Sequence, residues 1–341
     1  MSRGARVPAG VAVAGMLGWA AYSRKKMKRP VPPDEETAEY VRSLMERTGV
    51  EGLAGSWREE VLPVGGNRLR LYHFEAMPGD PVMVFVPGTS VYALLYAEYM
   101  YKLSRRGFNV VGFDPRGHGR SSGKRGVYTL GGLVEDAVAV IDHAIDMYGE
   151  DVAVSGSSQG GMVSFYCAAA EPRLKAAVCH NLIAPGEPDN ACMTRRPELF
   201  RPLMPFLPLL KPLMDSPVGE LMIPVSAYLD LSAETSRLVP DVARFLEEDP
   251  FAVNAVSLSA LHSLSTTPLA RRVEEIRTPV MVIHAGRDNI FPEEYVRRLY
   301  VRLTCDKEFL YLPDAPHLVM TDHVDELIPP ISAWVMEKMR K

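Results

Sequence analysis

The chain has 341 residues, of which 47% are hydrophobic and 23% charged, with a formal net charge of −4 and an isoelectric point near 6.1. These values exclude a basic nucleic-acid-binding chain and a highly charged disordered one, and the length suffices for one large core with an insertion or for two domains. The four cysteines show neither zinc-site nor C-x-x-C spacing, which indicates buried thiols in a reducing compartment. They are Cys167, Cys179, Cys192 and Cys305.

Residues 1–33 read as an apolar leader followed by a basic, proline-containing linker. Residues 7–22 are almost free of polar side chains, and five Lys or Arg residues follow between positions 24 and 29. A helix over residues 7–22 would be about 24 Å long, against roughly 30 Å for a bilayer core. The charge asymmetry favours a short membrane anchor with the rest of the chain on the cytoplasmic side. A cleaved signal peptide, a disordered leader and a soluble cytoplasmic protein are the alternatives.

The next elements predict a layered α/β fold. Acidic residues open an amphipathic helix that runs from Asp34 towards Gly49, and an alternating stretch from Trp57 to Phe74 predicts a β-hairpin. Short apolar runs separated by helical segments follow at 82–86, 109–113, 151–155, 174–179, 279–284 and 308–312. Such runs without alternation are typical of strands buried on both faces. The sequence therefore predicts a mostly parallel central sheet with helices on both faces.

One segment interrupts this rhythm. Residues 186–269 show no clear strand and hold many of the prolines and methionines. We interpret this segment as a helical cap inserted over the carboxyl edge of the sheet, so that residues 34–185 and 270–341 form the core.

The strongest chemical signal is Gly156-Ser157-Ser158-Gln159-Gly160, a G-x-S-x-G pattern that follows a predicted strand and precedes a predicted helix. This context is that of a nucleophile elbow, whose turn is too tight for side chains at the two glycine positions. Only Ser158 has the required spacing, and the alternative interpretation is a chance Gly/Ser-rich turn.

A serine nucleophile needs a histidine base oriented by a carboxylate, in the chain order Ser, acid, His. Asp288 lies in the loop after the strand at 279–284, and His317 follows the last strand. An N-cap of the next helix is the alternative role for Asp288, and His323 is the rival base. The oxyanion needs two backbone N–H donors, for which Gln159 and Thr89 are the candidates.

These features together resemble the α/β-hydrolase superfamily. The run Asp114-Pro115-Arg116-Gly117-His118-Gly119-Arg120-Ser121 looks like the D-x-R-G-H-G-x-S loop of its monoacylglycerol lipase-like and serine aminopeptidase-like branch, and the resemblance extends from Trp57 to the C-terminus. It implies a triad of Ser158, Asp288 and His317, oxyanion donors at Thr89 and Gln159, and a structural His118. Pro87 and Ser157 depart from the histidines common at these positions, which weakens inference about a particular substrate.

The expected activity is cleavage of a carboxylic ester through an acyl-enzyme, without a metal or organic cofactor. An apolar cap suits a hydrophobic acyl group or lipid, although the same side chains would also serve to pack the cap onto the sheet. A small-molecule ester or lipid is the expected partner, with membrane association through residues 7–22 and no nucleic acid. The alternatives are a peptidase, thioesterase or acyltransferase on the same fold, and a non-catalytic binding protein.

Overall fold

The computed structural model describes residues 34–184, 190–194, 197–231, 234 and 236–340. The leader and linker predicted at residues 1–33, and the predicted boundary between residues 185 and 186, therefore lie outside the described residues. Over the described ranges, no helix is long and apolar enough to cross a membrane.

A sheet of eight strands forms the centre of the molecule. The described strands are β1 (Arg58–Val64), β2 (Asn67–Phe74), β3 (Val82–Val86), β4 (Asn109–Asp114), β5 (Val152–Gly156), β6 (Ala176–His180), β7 (Met222–Pro224), β8 (Ala255–Ser257), β9 (Val280–Ala285) and β10 (Lys307–Leu312). The central sheet has the order β1-β2-β4-β3-β5-β6-β9-β10. The pairs β1–β2 and β2–β4 are antiparallel, and every pair from β4 to β10 is parallel.

Helices occupy most of the connections between these strands. The described α-helices are α1 (Asp34–Thr48), α2 (Ala97–Ser104), α3 (Leu130–Tyr148), α4 (Gln159–Ala170), α5 (Pro197–Phe200), α6 (Lys211–Met214), α7 (Val225–Tyr228), α8 (Val242–Glu248), α9 (Leu258–Thr266), α10 (Glu293–Arg302), α11 (Val319–Asp322) and α12 (Val324–Met339). Short 3-10 helices cover Ala93–Tyr96, Asn190–Met193, Met204–Leu210, Pro217–Glu220 and Val273–Glu275.

Two hydrophobic cores lie on opposite faces of the sheet. Along β3, Val82, Val84 and Val86 pack into the core that also receives α3, α4 and α10, whereas Met83 and Phe85 pack into the core of α1, α2 and α12. Side chains alternate between the faces of a strand, so a strand covered on both sides is apolar at every position. The predicted α/β-hydrolase fold, with helices on both faces of a mostly parallel sheet, is confirmed.

The segment between β6 and β9 departs from the prediction of no strand. β7 and β8 form a small antiparallel sheet in which Met222 pairs with Ser257 and Pro224 with Ala255. Each strand has only three residues, and Pro224, which lacks an N–H donor, stands at the end of β7. A strand of this length has too few residues for a recognisable alternation, so no pattern in the sequence marks it.

Candidate active site

Ser158 occupies the sharp turn between β5 and α4. Its backbone has φ 55° and ψ −116°, a left-handed conformation that is uncommon for a residue with a side chain. A Cβ atom at Gly156 would lie 2.1 Å from the carbonyl oxygen of Gly160, and one at Gly160 would lie 2.0 Å from that of Val86. Both glycines are therefore required by close backbone approach, as the G-x-S-x-G pattern predicts.

The structure brings Ser158, His317 and Asp288 into one line of hydrogen-bonding contacts. His317 Nε2 lies 3.0 Å from the Ser158 Oγ, and His317 Nδ1 lies 2.8 Å from Asp288 Oδ2. These three residues follow the carboxyl ends of β5, β10 and β9, which all reach the same edge of the sheet. The arrangement orients the imidazole so that one nitrogen faces the hydroxyl and the other faces the carboxylate.

Asp288 is held by four hydrogen-bonding contacts, and its side chain is fully buried. Its Oδ1 accepts the backbone N–H groups of Ile290 and Phe291 at 2.8 Å each, and its Oδ2 accepts the side-chain amide of Asn181 at 2.9 Å as well as contacting His317. Burial raises the pKa of this carboxyl, but the charge of His317 and their hydrogen bond outweigh burial and hold the pKa below its ordinary value.

The same pairing acts on His317, which is 4% exposed. Burial alone would lower the pKa of His317, yet the charge of Asp288 and the hydrogen bond with it raise the pKa above the ordinary histidine value. A carboxylate that stabilises the imidazolium in this way makes the ring a stronger acceptor for the Ser158 proton.

Thr89 and Gln159, the predicted oxyanion donors, border the nucleophile. Gln159 is the first residue of α4, so its backbone N–H has no carbonyl within the helix to bind. Thr89 and Ser158 line the same cavities, and a Cβ at the preceding Gly88 would lie 3.6 Å from the Ser158 Cβ. The Gln159 side chain donates to the Tyr128 hydroxyl at 2.9 Å, which fixes the residue without using its backbone donor.

Two residues at the end of β6 belong to the site and were missed in the sequence. His180 Nδ1 accepts the backbone N–H of Ser158 at 3.2 Å, and burial lowers the pKa of His180 to about 3. Asn181, with φ 71°, joins Asp288 to His284, whose Nδ1 lies 2.6 Å from the Asn181 Oδ1. One signal in the sequence could have indicated them. Both are polar residues that directly follow a predicted buried strand, at the sheet edge that also carries Ser158.

Glu234 is a second acid near the imidazole and was also missed. It is 3% exposed, burial raises the pKa of its carboxyl, and it accepts a backbone hydrogen bond from His317. Its Oε2 has no hydrogen-bond partner among the described residues. No motif marks Glu234, because in the sequence it is far from the ends of the strands that the other site residues follow.

The other predicted histidine roles can be located as well. His323, the rival base, precedes α12 and contacts Glu326 at 2.7 Å rather than Ser158. His118 is buried, with its Nδ1 3.0 Å from the Arg116 carbonyl oxygen. The surrounding D-x-R-G-H-G-x-S loop is held by buried Asp114, which accepts the backbone N–H of Arg120 at 2.8 Å. The motif therefore shapes a loop and places none of its side chains in contact with Ser158 or His317 among the contacts described.

Two cavities of unequal size meet at Ser158. The larger has a volume of about 310 Å³ and the smaller about 70 Å³, and both are lined by Thr89, Ser158, Leu229 and Ile290. The larger is mostly apolar and opens to the surface beside Phe200 and Leu210, which are 42% and 43% exposed. Its other apolar lining residues are Met162, Ile183, Met204, Leu207, Met214, Leu258, Leu261, Leu264 and Phe291.

A metal ion at this site would compete with the triad contacts. His180, Asp288 and His317 offer ligand atoms within 4.8 Å of one another. The Asp288 and His317 atoms already contact each other, and the remaining His317 nitrogen faces Ser158. The expectation that no metal or organic cofactor is needed stays a prediction.

The fold and the site geometry define an α/β-hydrolase. The chain belongs to the family described as serine aminopeptidase, S33, whose model matches residues 78–323. Among curated proteins, it is 26% identical over 288 residues to a monoacylglycerol lipase of Mycolicibacterium smegmatis, covering 81% of this chain and 95% of the relative. It is 23% identical over 267 residues to a bifunctional esterase/perhydrolase of Acinetobacter calcoaceticus, covering 75% and 91%.

Solved structures share the fold. The monoacylglycerol lipase of Paleococcus ferrophilus has a TM-score of 0.62 at 24% identity, with 79% of this chain and 99% of that chain covered. A soluble variant of the monoglyceride lipase of Saccharomyces cerevisiae has a TM-score of 0.65 at 17% identity, with 83% and 96% covered.

Proposed function

We propose that this chain is a serine hydrolase that cleaves a carboxylic ester of a hydrophobic acyl group, with Ser158 as nucleophile, His317 as base and Asp288 as the orienting acid. The observation that carries the proposal is the continuous contact from Asp288 through His317 to Ser158, where the serine hydroxyl borders an apolar cavity of about 310 Å³. The similarity to an esterase/perhydrolase and to monoacylglycerol lipases supports the same class of substrate.

The reaction proceeds in two halves on this geometry. Ser158 Oγ attacks the ester carbonyl while His317 Nε2 accepts its proton, and Asp288 stabilises the imidazolium that forms. The backbone N–H groups of Thr89 and Gln159 stabilise the oxyanion. His317 then protonates the departing alkoxide, and a water molecule, deprotonated by the same nitrogen, releases the acid from the acyl-enzyme.

The segment that follows β6 supplies most of the apolar side chains of the larger cavity, which supports its role as a cap over the carboxyl edge of the sheet. We place the acyl group in this cavity, because its volume is at the lower end of the range of small-molecule sites and its lining is apolar. The smaller cavity is then left for the alcohol portion of the ester. A hydrophobic acyl group gains free energy by leaving water for such a lining.

The family description raises a second candidate, the hydrolysis of amide bonds at the amino terminus of a peptide. A peptide α-amino group is cationic, and a site for it normally provides a carboxylate. Neither cavity at Ser158 has an Asp or Glu among its described lining residues. Glu234, the buried acid beside His317, lines neither cavity, so the described lining favours the ester substrate over the aminopeptidase substrate.

We further propose that residues 7–22 anchor the protein to a membrane, with the hydrolase on the cytoplasmic side. The support is the apolar stretch followed by five basic residues. A hydrophobic ester substrate would partition into the same membrane.

The decisive test compares wild-type protein with Ser158→Ala on p-nitrophenyl esters of rising chain length, monoacylglycerols and aminoacyl amides. We expect Ser158→Ala to lower kcat by at least about 10³-fold and to abolish labelling by a fluorophosphonate probe. Ser157→Ala is the matched control, because it removes the neighbouring hydroxyl. Retained ester cleavage or labelling in Ser158→Ala would exclude this nucleophile. Cleavage of the amides with no cleavage of the esters would replace the ester proposal by the peptidase one.

A further inference from the structure

Three potential metal ligands converge at the edge of the sheet opposite Ser158. Glu60 lies on β1, His73 on β2 and His143 on α3. His73 pairs with Val111 near the start of β4, whereas Ser158 follows the end of the parallel strand β5. None of the three ligands is among the residues that line the two cavities at Ser158, so this cluster is separate from the proposed active site.

The ligand atoms face one another. His73 Nε2 lies 3.2 Å from Glu60 Oε2, and His143 Nε2 lies 3.0 Å from Glu60 Oε1. The three ligand atoms all lie within 4.8 Å of one another. Neither Nε2 atom has a properly directed hydrogen bond among the described residues, although both atoms are buried.

The position of the His73 ring proton explains why His73 Nε2 and Glu60 form no hydrogen bond. The Tyr148 hydroxyl donates to Glu75 Oε1 at 3.1 Å, so the Tyr148 oxygen accepts from His73 Nδ1, 3.0 Å away. With its proton on Nδ1, a neutral His73 presents Nε2 as an acceptor 3.2 Å from Glu60 Oε2, so two acceptors lie side by side. A cation between the two acceptors would satisfy both.

The spacing suits a first-row transition metal. Zn²⁺ binds imidazole nitrogen and carboxylate oxygen at about 2.0–2.2 Å, which places neighbouring tetrahedral ligands about 3.3 Å apart. The separation of 3.0 Å between His143 Nε2 and Glu60 Oε1 is close to that value, and a His73 nitrogen lies within 4.8 Å of both ligand atoms. The hydrogen bonds from His73 through Tyr148 to Glu75 resemble the outer contacts that orient metal-binding histidines.

We propose that Glu60, His73 and His143 bind one divalent transition-metal ion, with Zn²⁺ as the representative, and that water completes its coordination. Arg58 donates to Glu60 Oε2 at 3.0 Å, so the ion is expected on the side of Oε1. Because the ligands come from β1, β2 and α3, the bound ion joins the β1–β2 hairpin to the helix beside it. Its effect is on stability, since metal bound only to the folded state shifts the unfolding equilibrium.

The test titrates metal-free, full-length protein with ZnCl₂ and follows binding by calorimetry and thermal unfolding. We expect one ion at this cluster and, at a free zinc concentration of 100 times Kd, a Tm higher by about 3–6 °C. His143→Gln and Glu60→Gln should each weaken zinc binding at least about 10-fold and remove the increase in Tm. His323→Gln is the matched control, because His323 forms an exposed pair with Glu326 and should leave both measurements unchanged.

Circular dichroism and melting curves without zinc establish that each variant is folded, and Co²⁺ absorption spectra provide a second readout of the coordination. Loss of the Co²⁺ spectrum in His143→Gln and Glu60→Gln supports the site. Zinc binding that persists in both variants and disappears only in His317→Gln would assign the ion to the other ligand cluster and overturn the proposal. Absence of zinc binding by the wild-type protein would overturn it as well.

Discussion

Asp288 is not the N-cap of α10, which is Pro292, but its two oxygens bind the preceding turn and His317 separately. One carboxylate oxygen accepts the backbone N–H groups of Ile290 and Phe291 ahead of α10, and the other contacts His317. A carboxylate can serve both because it has two acceptor oxygens. The turn at Ile290 and Phe291 thus orients the Asp288 carboxylate, and the carboxylate in turn orients the His317 imidazole.

Asp288→Asn tests the electrostatic part of this arrangement. We expect kcat on a p-nitrophenyl ester to fall by about 10⁴-fold, because the amide no longer stabilises the imidazolium or selects its tautomer. Asp314→Asn, which changes an exposed acid paired with Arg287, is the control and should retain wild-type kcat. Wild-type activity in Asp288→Asn would contradict the role given to this carboxylate.

The pH dependence of kcat/KM follows from the raised pKa of His317. The base must be neutral to accept the Ser158 proton, so activity should be lost as the pH falls through the pKa of His317. Because Asp288 raises this pKa, the midpoint of the acid limb is expected above the ordinary histidine value of about 6.5. A midpoint at or below that value would show that pairing with Asp288 does not outweigh burial.

We expect Asn181 to act as a positioning residue, and its backbone and its side chain can be tested separately. Asn181→Gly tolerates the positive φ but removes the hydrogen bond to Asp288, and it should lower kcat about 10-fold with little change in KM. Asn181→Ala adds the cost of a left-handed backbone and should also lower Tm. Unchanged kcat in Asn181→Gly would confine Asn181 to a structural role.

Residues at strand ends were predictable from the sequence, whereas their supporting contacts were not. The positions of Ser158, Asp288 and His317 follow from motifs and from the strands that precede them. The contacts of His180, Asn181 and Glu234 depend on the tertiary packing of β6, β9 and the segment between them. No local sequence pattern predicts that packing.

At the scale of elements, the accuracy of the strand predictions depended on length. β3 was placed at its observed bounds and β4 to within one residue, because buried runs of five or six apolar residues are distinctive. The three-residue strands β7 and β8 were missed. The secondary structure of the segment between β6 and β9 was therefore the hardest to predict from the sequence, although this segment supplies much of the lining of the larger cavity.

Leu261 on α9 allows the acyl site to be resized in both directions. Leu261→Trp should shift the preference among p-nitrophenyl esters towards shorter acyl chains, and Leu261→Ala towards longer ones, each changing the kcat/KM ratio of long to short esters about 10-fold. Leu199→Ala is the control, because Leu199 is 58% exposed and does not line the cavity. Identical chain-length profiles in all variants would place the acyl group elsewhere.

At the scale of the whole molecule, the leader and the hydrolase are expected to be separable. Deletion of residues 1–33 should leave kcat/KM on a soluble ester within about twofold, because the proposed catalytic residues and the described cavity lining all lie after residue 87. The truncated protein should move from the membrane fraction to the supernatant. Equal fractionation of full-length and truncated protein would contradict the anchor.

The position of His317, after β10, links the proposed catalysis to one of the two edge strands of the sheet. Among the described strands, β10 pairs with β9 alone, and most of its residues are partly exposed, so it is weakly protected against local opening. Fraying of β10 on warming or in mild denaturant would carry the His317 imidazole away from Ser158 while β3 and β5 remain intact. Inactivation then precedes global unfolding. Residual activity therefore reports whether β10 is still paired with β9, and not whether the central strands are intact.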